Sequence, residues 1–138
     1  MKIRELMTPW PHTITSEATL GDAVTIMKTH SIRHLPVTDG DDVVGIISDR
    51  DLQMALGPDA INLNVDLLDP RQASGSVDWF MTQGELQTVN GDDDVTVACQ
   101  AFLTHKVGAL PVYDGADLVG IISVLDIVRA AESLFAAR

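Results

Sequence analysis

The sequence holds a single cysteine, Cys99, in 138 residues. One thiol makes no intrachain disulfide, and a chain of this length can bury enough surface to stand without one. A reducing compartment, the cytoplasm, is expected. Basic residues are scarce: nine Lys and Arg against 20 Asp and Glu, a net charge of −11. Such a chain has little charge with which to release counterions, so neither nucleic acid nor an anionic membrane is an expected partner. A small anion is not excluded, because it needs only a local basic cluster. No apolar run approaches the length of about 20 residues that crosses a bilayer. No signal-peptide pattern opens the chain, and a soluble protein is expected. Catalytic patterns are missing as well: no ordered Ser-His-Asp or Cys-His set, no zinc-ligand spacing, no phosphate-binding Walker loop. An enzyme is therefore not expected. Nor is a metal site, since His30 and His105 lack a third ligand at a usual spacing.

What the chain does have is a duplication. Gly45 to Asp51 reads GIISDRD, and Gly120 to Asp126, 75 positions on, reads GIISVLD. In the same register HLPV at 34–37 answers ALPV at 109–112, DGDD at 39–42 answers DGAD at 114–117, and THSI at 29–32 answers THKV at 104–107. Between residues 13–52 and 88–127, 16 of 40 positions are identical, enough to read the chain as two copies of one unit. KIRELMT at 2–8 is matched by SVDWFMT at 76–82, here at an offset of 74. The expected division is a first domain at 1–56, a linker at 57–75 and a second domain at 76–138. Gly57, Pro58, Asp69-Pro70 and Ser74-Gly75 mark the linker. Its Leu63, Val65, Leu67 and Leu68 suggest that it packs on the body.

Each copy reads as strand, helix, strand, strand, helix. Ile3, Leu6 and Met7 suggest a helical turn with one apolar side. Pro9 and Pro11 then impose an extended passage around Trp10, whose ring either stacks on a ligand base or covers the edge of the core. A short strand follows at 13–15. Thr19 with Asp22 is a capping-box signal, and Leu20, Ala23, Val24 and Met27 recur at helical spacing. His30 closes that helix, where the dipole suits a partly positive ring. Strands are expected at 35–38 and 43–47, joined by a hairpin at Asp39-Gly40; the second is apolar enough to be buried on both faces. The acidic turn at 39–42 lacks the ligand pattern of a calcium loop and reads as a solvated tip. A helix from Asp51 to Leu56 ends at Gly57-Pro58. The second copy repeats this, with Asp94 as N-cap, Val95, Ala98, Cys99 and Phe102 as the buried face, and strands at 110–113 and 118–122. Cys99 takes the place of Val24 and so reads as a buried apolar residue. The last helix, from about Leu125 to Ala136, carries more apolar surface than one face needs, a candidate partner surface.

The chemistry lies where a buried strand passes into a helix. Ser48 and Asp51, and again Ser123 and Asp126, place a hydroxyl, backbone N–H groups and a carboxylate at one corner. Such a carboxylate can accept both hydroxyls of a ribose, and the N–H groups can face an anion. The same two residues can equally well cap the helix. From the residues alone both readings stay open.

The lead-in MT, the LPV strand, the DG turn and the G-I-I-S-x-x-D corner, each present twice and in order, resemble a tandem pair of CBS domains, named for cystathionine β-synthase. The resemblance spans the chain outside 57–75. It implies an α+β fold of two β-α-β-β-α units related by pseudo-twofold symmetry, their sheets packed together with helices outside. It also implies a regulatory module that binds an adenosine-containing molecule, of the AMP, ATP or S-adenosylmethionine type, in the cleft between repeats. Asp51 and Asp126, with Ser48 and Ser123, would hold ribose. Arg33 and His34, just before LPV, would reach phosphate, with Arg50 a second candidate; Arg33 could otherwise simply offset surface acidity. Thr13, Ile14, Leu35 and Pro36 would line the adenine pocket. The second copy departs from the pattern: Gly108 and Ala109 precede its LPV, Val124-Leu125 sit inside its Ser-Asp motif, and Lys106 is its nearest cation. Unequal clefts are expected. No cofactor is required beyond such a ligand. The resemblance further implies a homodimer and an effector protein acting in trans. The alternative is a structural dimerisation module whose clefts are degenerate and empty.

Overall fold

The computed structural model describes residues 1–58, 60, 65–82 and 85–137. The fold is α+β, with two sheets and five α-helices among these residues. The chain divides into two compact units. One joins Met1–Pro11 to Gln87–Arg138; the other is His12–Leu86. Each lead-in segment therefore packs against the other copy's strands rather than its own.

In the unit His12–Leu86, β2 (Ile14–Thr15) runs parallel to β3 (His34–Asp39), and β3 pairs antiparallel with β4 (Asp42–Ser48). Helix α1 (Leu20–His30) connects β2 to β3, and α2 (Asp49–Leu56) follows β4. Thr19 begins α1 with the expected box: its hydroxyl accepts the Asp22 N–H at 3.1 Å and the Asp22 carboxylate accepts the Thr19 N–H at 3.0 Å. Leu20, Ala23, Val24 and Met27 are all buried, with Leu35, Val37, Ile47 and Leu52 in the same cluster. Full burial of each larger aliphatic contributes about 1.5–3 kcal/mol. Burial of β4 on both faces holds only for its C-terminal half; Val44 is exposed.

The other unit repeats the plan. β5 (Val89–Asn90) is parallel to β6 (Ala109–Asp114), which is antiparallel to β7 (Asp117–Ser123), with α4 (Val95–Thr104) and α5 (Val124–Ala136) in the corresponding places. β1 (Thr8–Pro9) adds an antiparallel edge, Thr8 opposite Ile121 and Pro9 opposite Gly120. Ile3, Leu110, Val112 and Ile122 form the core with Ala98. Of the expected apolar face of α4 only Ala98 is fully buried; Val95, Cys99 and Phe102 are half-buried.

Arg4 ties this lead-in down. Its guanidinium donates to both carboxylate oxygens of Asp114, at 2.7 and 3.2 Å, and to Asp92 at 3.1 Å. The hydrogen bond from Arg4 holds the Asp92 carboxyl below its ordinary range. A hydrogen bond from the Thr96 hydroxyl does the same for Asp94, the N-cap of α4.

Two further expectations change. Trp10 is not extended: its φ is +49° and its ring is 76% exposed, so it does not cover the core edge. The helix after β4 begins at Asp49, because Ser48 is its N-cap and Asp51 its third residue. The stretch at 57–75 contains α3 (Pro70–Ala73), capped by Asp69. Leu68 packs into the core of its unit while Leu67 is exposed. Leu63 and the side chain of Val65 lie outside the described residues.

Candidate functional site

Strand pairing gathers most of the expected site residues of the first copy at one end of the β2-β3-β4 sheet. His34 lies opposite Ser48 and Leu35 opposite Ile47. The Asp49 N–H donates to the Arg33 carbonyl at 2.9 Å, fixing the start of α2 beside the start of β3. Arg33, His34, Ser48, Arg50 and Asp51 thus belong to one corner. Arg33 and Arg50 are exposed and have no ion pair among the described residues, so their charge is available to an anion.

At that corner Ser48 and Asp51 form a closed capping box. The Ser48 hydroxyl accepts the Asp51 N–H at 3.2 Å; Asp51 Oδ2 accepts the Ser48 N–H at 2.8 Å and its hydroxyl at 3.0 Å. The capping alternative is therefore realised, and it uses one carboxylate oxygen. No hydrogen bond from the described residues reaches Asp51 Oδ1. Asp51 is half-buried.

The second corner has the same backbone. Ala109 lies opposite Ser123, and the Val124 N–H donates to the Gly108 carbonyl at 3.0 Å. Asp126 Oδ2 accepts the Ser123 N–H at 2.8 Å, and the Ser123 hydroxyl accepts the Asp126 N–H at 3.3 Å. Here Asp126 Oδ1 lies 3.7 Å from Arg129 Nη1, a contact the first corner lacks because Met54 takes that place. Geometry is duplicated and charge is not.

Thr13 and Ile14 line an open cleft of about 370 Å³, together with Thr15, Ala18, Asp22, Thr25 and Ile26. Leu35 and Pro36 are buried in β3 on opposite faces, Leu35 within the core cluster; neither lines this cleft. One feature was missed from sequence. His12 and His30 stack with ring centroids 3.7 Å apart, though nothing local in the sequence pairs a loop residue with the last turn of α1.

The class defined by this architecture is a tandem repeat of a small α+β unit with a Ser/Asp strand-to-helix corner. The CBS domain pattern matches residues 3–57 and again 76–133, and the chain belongs to the CBS-domain family. A CBS domain-containing protein of Dictyostelium discoideum is 32% identical over 129 residues, covering 91% of this chain and 88% of that protein. A CBS protein solved in complex with AMP is 27% identical with a TM-score of 0.71, covering 96% of this chain and 97% of the other. A CBS domain pair in complex with 5'-methylthioadenosine and S-adenosyl-L-methionine shares the fold with a TM-score of 0.78 at 24% identity, over 96% and 97% of the two chains. The chain spans only 23% of an inosine-5'-monophosphate dehydrogenase of Methanocaldococcus jannaschii and 22% of a homoserine O-acetyltransferase of Methanosphaerula palustris. No helix among the described residues is long and apolar enough to cross a membrane.

Proposed function

We propose that this protein is a ligand-sensing regulatory module for an adenosine-containing molecule, with AMP, ATP and S-adenosylmethionine as the ligands to test. The observation that carries the reading is the state of Asp51: Oδ2 is spent on the helix cap and Oδ1 has no hydrogen bond from the described residues. A ribose diol brings two donors to such a carboxylate. Arg33 and Arg50 supply the positive charge that phosphate requires, Arg as a planar fork, and His34 stands opposite Ser48 in the same corner. Thr13 and Ile14, which line the open cleft, are the proposed surroundings of the base, with Leu35 and Pro36 in the neighbouring strand β3. The AMP and S-adenosylmethionine complexes of the two similar CBS proteins support the ligand class. Binding would shift the population of packings within a homodimer, and an effector protein in trans would read the shift. The cytoplasm is the proposed location.

Calorimetry with the three ligands tests the reading. Asp51→Ala together with Asp126→Ala should weaken binding roughly 100-fold or more, the loss of two charge-assisted hydrogen bonds. Affinity that survives the double change would remove the ribose assignment. Arg33→Gln should weaken AMP and ATP but spare S-adenosylmethionine, which has no phosphate. The second reading, a structural dimerisation module with empty clefts, is favoured by Gly108, Ala109, Val124 and Leu125, which leave the second corner without the cations of the first. It predicts no heat and no thermal shift with any of the three.

A further inference from the structure

The chain has five methionines, Met1, Met7, Met27, Met54 and Met81, and two properties sort them. Met27 lies in the core of its unit at 1% exposure, so solvent does not reach its sulfur. Met1 and Met54 are open to solvent, at 56% and 88%, and a change at either sulfur disturbs little packing. Of the five, only Met7 and Met81 are both partly exposed and packed against a core cluster. They hold equivalent places in the two lead-in segments. Each lays its thioether over a strand glycine, Met7 over Gly120 and Met81 over Gly45. Their surroundings differ. Over Gly45, the atoms nearest the space a Cβ would take all belong to Met81, its Sδ at 2.6 Å. Over Gly120, that space is bounded by Met7 Sδ, by Met7 Cγ at 2.9 Å and by the Thr8 carbonyl oxygen at 3.0 Å. Backbone of β1 thus enters the contact at Met7, and only a side chain forms the contact at Met81.

We propose that Met7 is an oxidation site, where a peroxide converts the thioether to the sulfoxide and so frees β1 from β7, while the same change at Met81 is tolerated. The inference is independent of the ligand reading above. In the step, a lone pair of Sδ takes one oxygen of hydrogen peroxide. The O–O bond breaks, an S–O bond forms, sulfur gives up two electrons, and the other oxygen leaves as water. The product is polar where the thioether was apolar and adaptable. At Met7 the sulfur already fills the gap that glycine leaves. The added oxygen either meets the Thr8 carbonyl, acceptor against acceptor, or turns the side chain off its core cluster. Little else holds β1 down. It is two residues long, Pro9 has no N–H to donate, and the next tie is the Trp10 N–H on the Val119 carbonyl at 3.0 Å. Trp10 has a φ of +49°, a left-handed conformation that a non-glycine residue keeps only while its surroundings impose it. On the other side, the Thr82 N–H donates to the Ile46 carbonyl at 3.0 Å, and a displaced Met81 thioether leaves that bond in place.

Hydrogen peroxide added to the full chain, followed by peptide mass spectrometry and amide hydrogen exchange, tests this. Met1 and Met54 should oxidise first, Met7 and Met81 next, and Met27 last. Once Met7 is converted, protection of the Trp10 amide should fall roughly 10–100-fold, and that of the Thr82 amide by less than about threefold. The melting temperature should drop by roughly 5–10 °C. Met7→Leu keeps the volume without the sulfur; it should remove both effects while Met54 and Met81 still oxidise. Met81→Leu should leave both in place. Cys99 remains in every variant, so any effect of its thiol persists in Met7→Leu. Should Met7→Leu fail to fold, methionine sulfoxide reductase on the oxidised wild type decides, because it reverses the sulfoxide; protection at Trp10 should return. Met7 left intact when Met81 is fully converted, an unchanged Trp10 amide at full conversion of Met7, equal losses at Trp10 and Thr82, effects that persist in Met7→Leu, or no return under the reductase would each overturn the proposal.

Discussion

Each copy lays a Met-Thr step across a strand glycine, and the two crossings differ in a way that stability measurements can read. A Cβ built on Gly45 would stand 2.6 Å from Met81 Sδ, 3.2 Å from its Cγ and 3.5 Å from its Cε, and would meet nothing else so closely. A Cβ on Gly120 would overlap Met7 Sδ, approach Met7 Cγ to 2.9 Å, and stand 3.0 Å from the Thr8 carbonyl oxygen. The first clash is with a flexible thioether that can swing aside. The second includes backbone of β1, whose pairing to β7 passes through Gly120 itself. Overpacking typically costs 1–3 kcal/mol. Gly45→Ala belongs at the low end, about 1 kcal/mol, because alanine also returns part of the entropy that glycine loses in a strand. Gly120→Ala belongs at the high end, about 3 kcal/mol, since β1 must lift away. For a chain of this size those values translate to melting-temperature drops of roughly 3–4 °C and 9–12 °C. Calorimetric melting of both variants, and of each with its methionine cut to alanine, completes two double-mutant cycles. Met81→Ala should absorb the Gly45→Ala penalty. Met7→Ala should leave most of the Gly120→Ala penalty in place, because the Thr8 carbonyl remains. Equal drops, or full rescue of Gly120→Ala by Met7→Ala, would refute the reasoning.

Two further outcomes follow from hydrogen bonds at the helix starts and the lead-in. Ser48→Ala removes the hydroxyl that accepts the Asp51 N–H and should cost about 1 kcal/mol in thermal unfolding; it should weaken AMP far less than Asp51→Ala, and equal losses of affinity would mean that the carboxylate acts only through the cap. Arg4→Gln tests the link to Asp92. Because hydrogen bonding to Arg4 lowers the folded-state value of Asp92, the stabilisation is full above the unfolded aspartate range and is lost as pH falls through the lowered value. The melting-temperature gap between wild type and Arg4→Gln should therefore be widest above about pH 5 and close in stronger acid; a gap that grows with acidification would contradict the assignment.

What the sequence made legible is what local chemistry decides. The strands and long helices fall within a residue or two of their expected bounds, since alternation, 3.6-residue spacing and Thr19-Asp22 or Asp94 capping act over a few neighbours. Asp69-Pro70 is the signal for α3, an N-cap followed by proline at the first helical position, although the same pair serves equally well as the mark of a linker. Trp10 shows the limit of proline rules: Pro9 and Pro11 constrain their own φ and the residues before them, yet the Trp10 N–H is held by the Val119 carbonyl at 3.0 Å while its φ is +49°. That tie reaches across the sequence, as do Arg4 to Asp114 and His12 to His30. No periodicity encodes them, and the exchange of lead-in segments between the two units is of the same kind.

The candidate site divides along the same line. Identical residues, Ser48 with Ser123 and Asp51 with Asp126, give identical backbone corners, each with one carboxylate oxygen accepting the serine N–H at 2.8 Å. The departures, Arg33 to Gly108, Arg50 to Leu125 and Met54 to Arg129, leave those bonds untouched and change the charge near the corner, Arg129 Nη1 standing 3.7 Å from Asp126 Oδ1. Duplication thus preserved the geometry that folding needs, while the charged positions beside it were free to vary. If the cations of the first copy are what an anion meets, then Arg33→Gly with Arg50→Leu should make the first corner resemble the second. Its affinity for AMP should fall in calorimetry while the melting temperature stays near that of the wild type. Unchanged affinity would take the anion role away from these two residues.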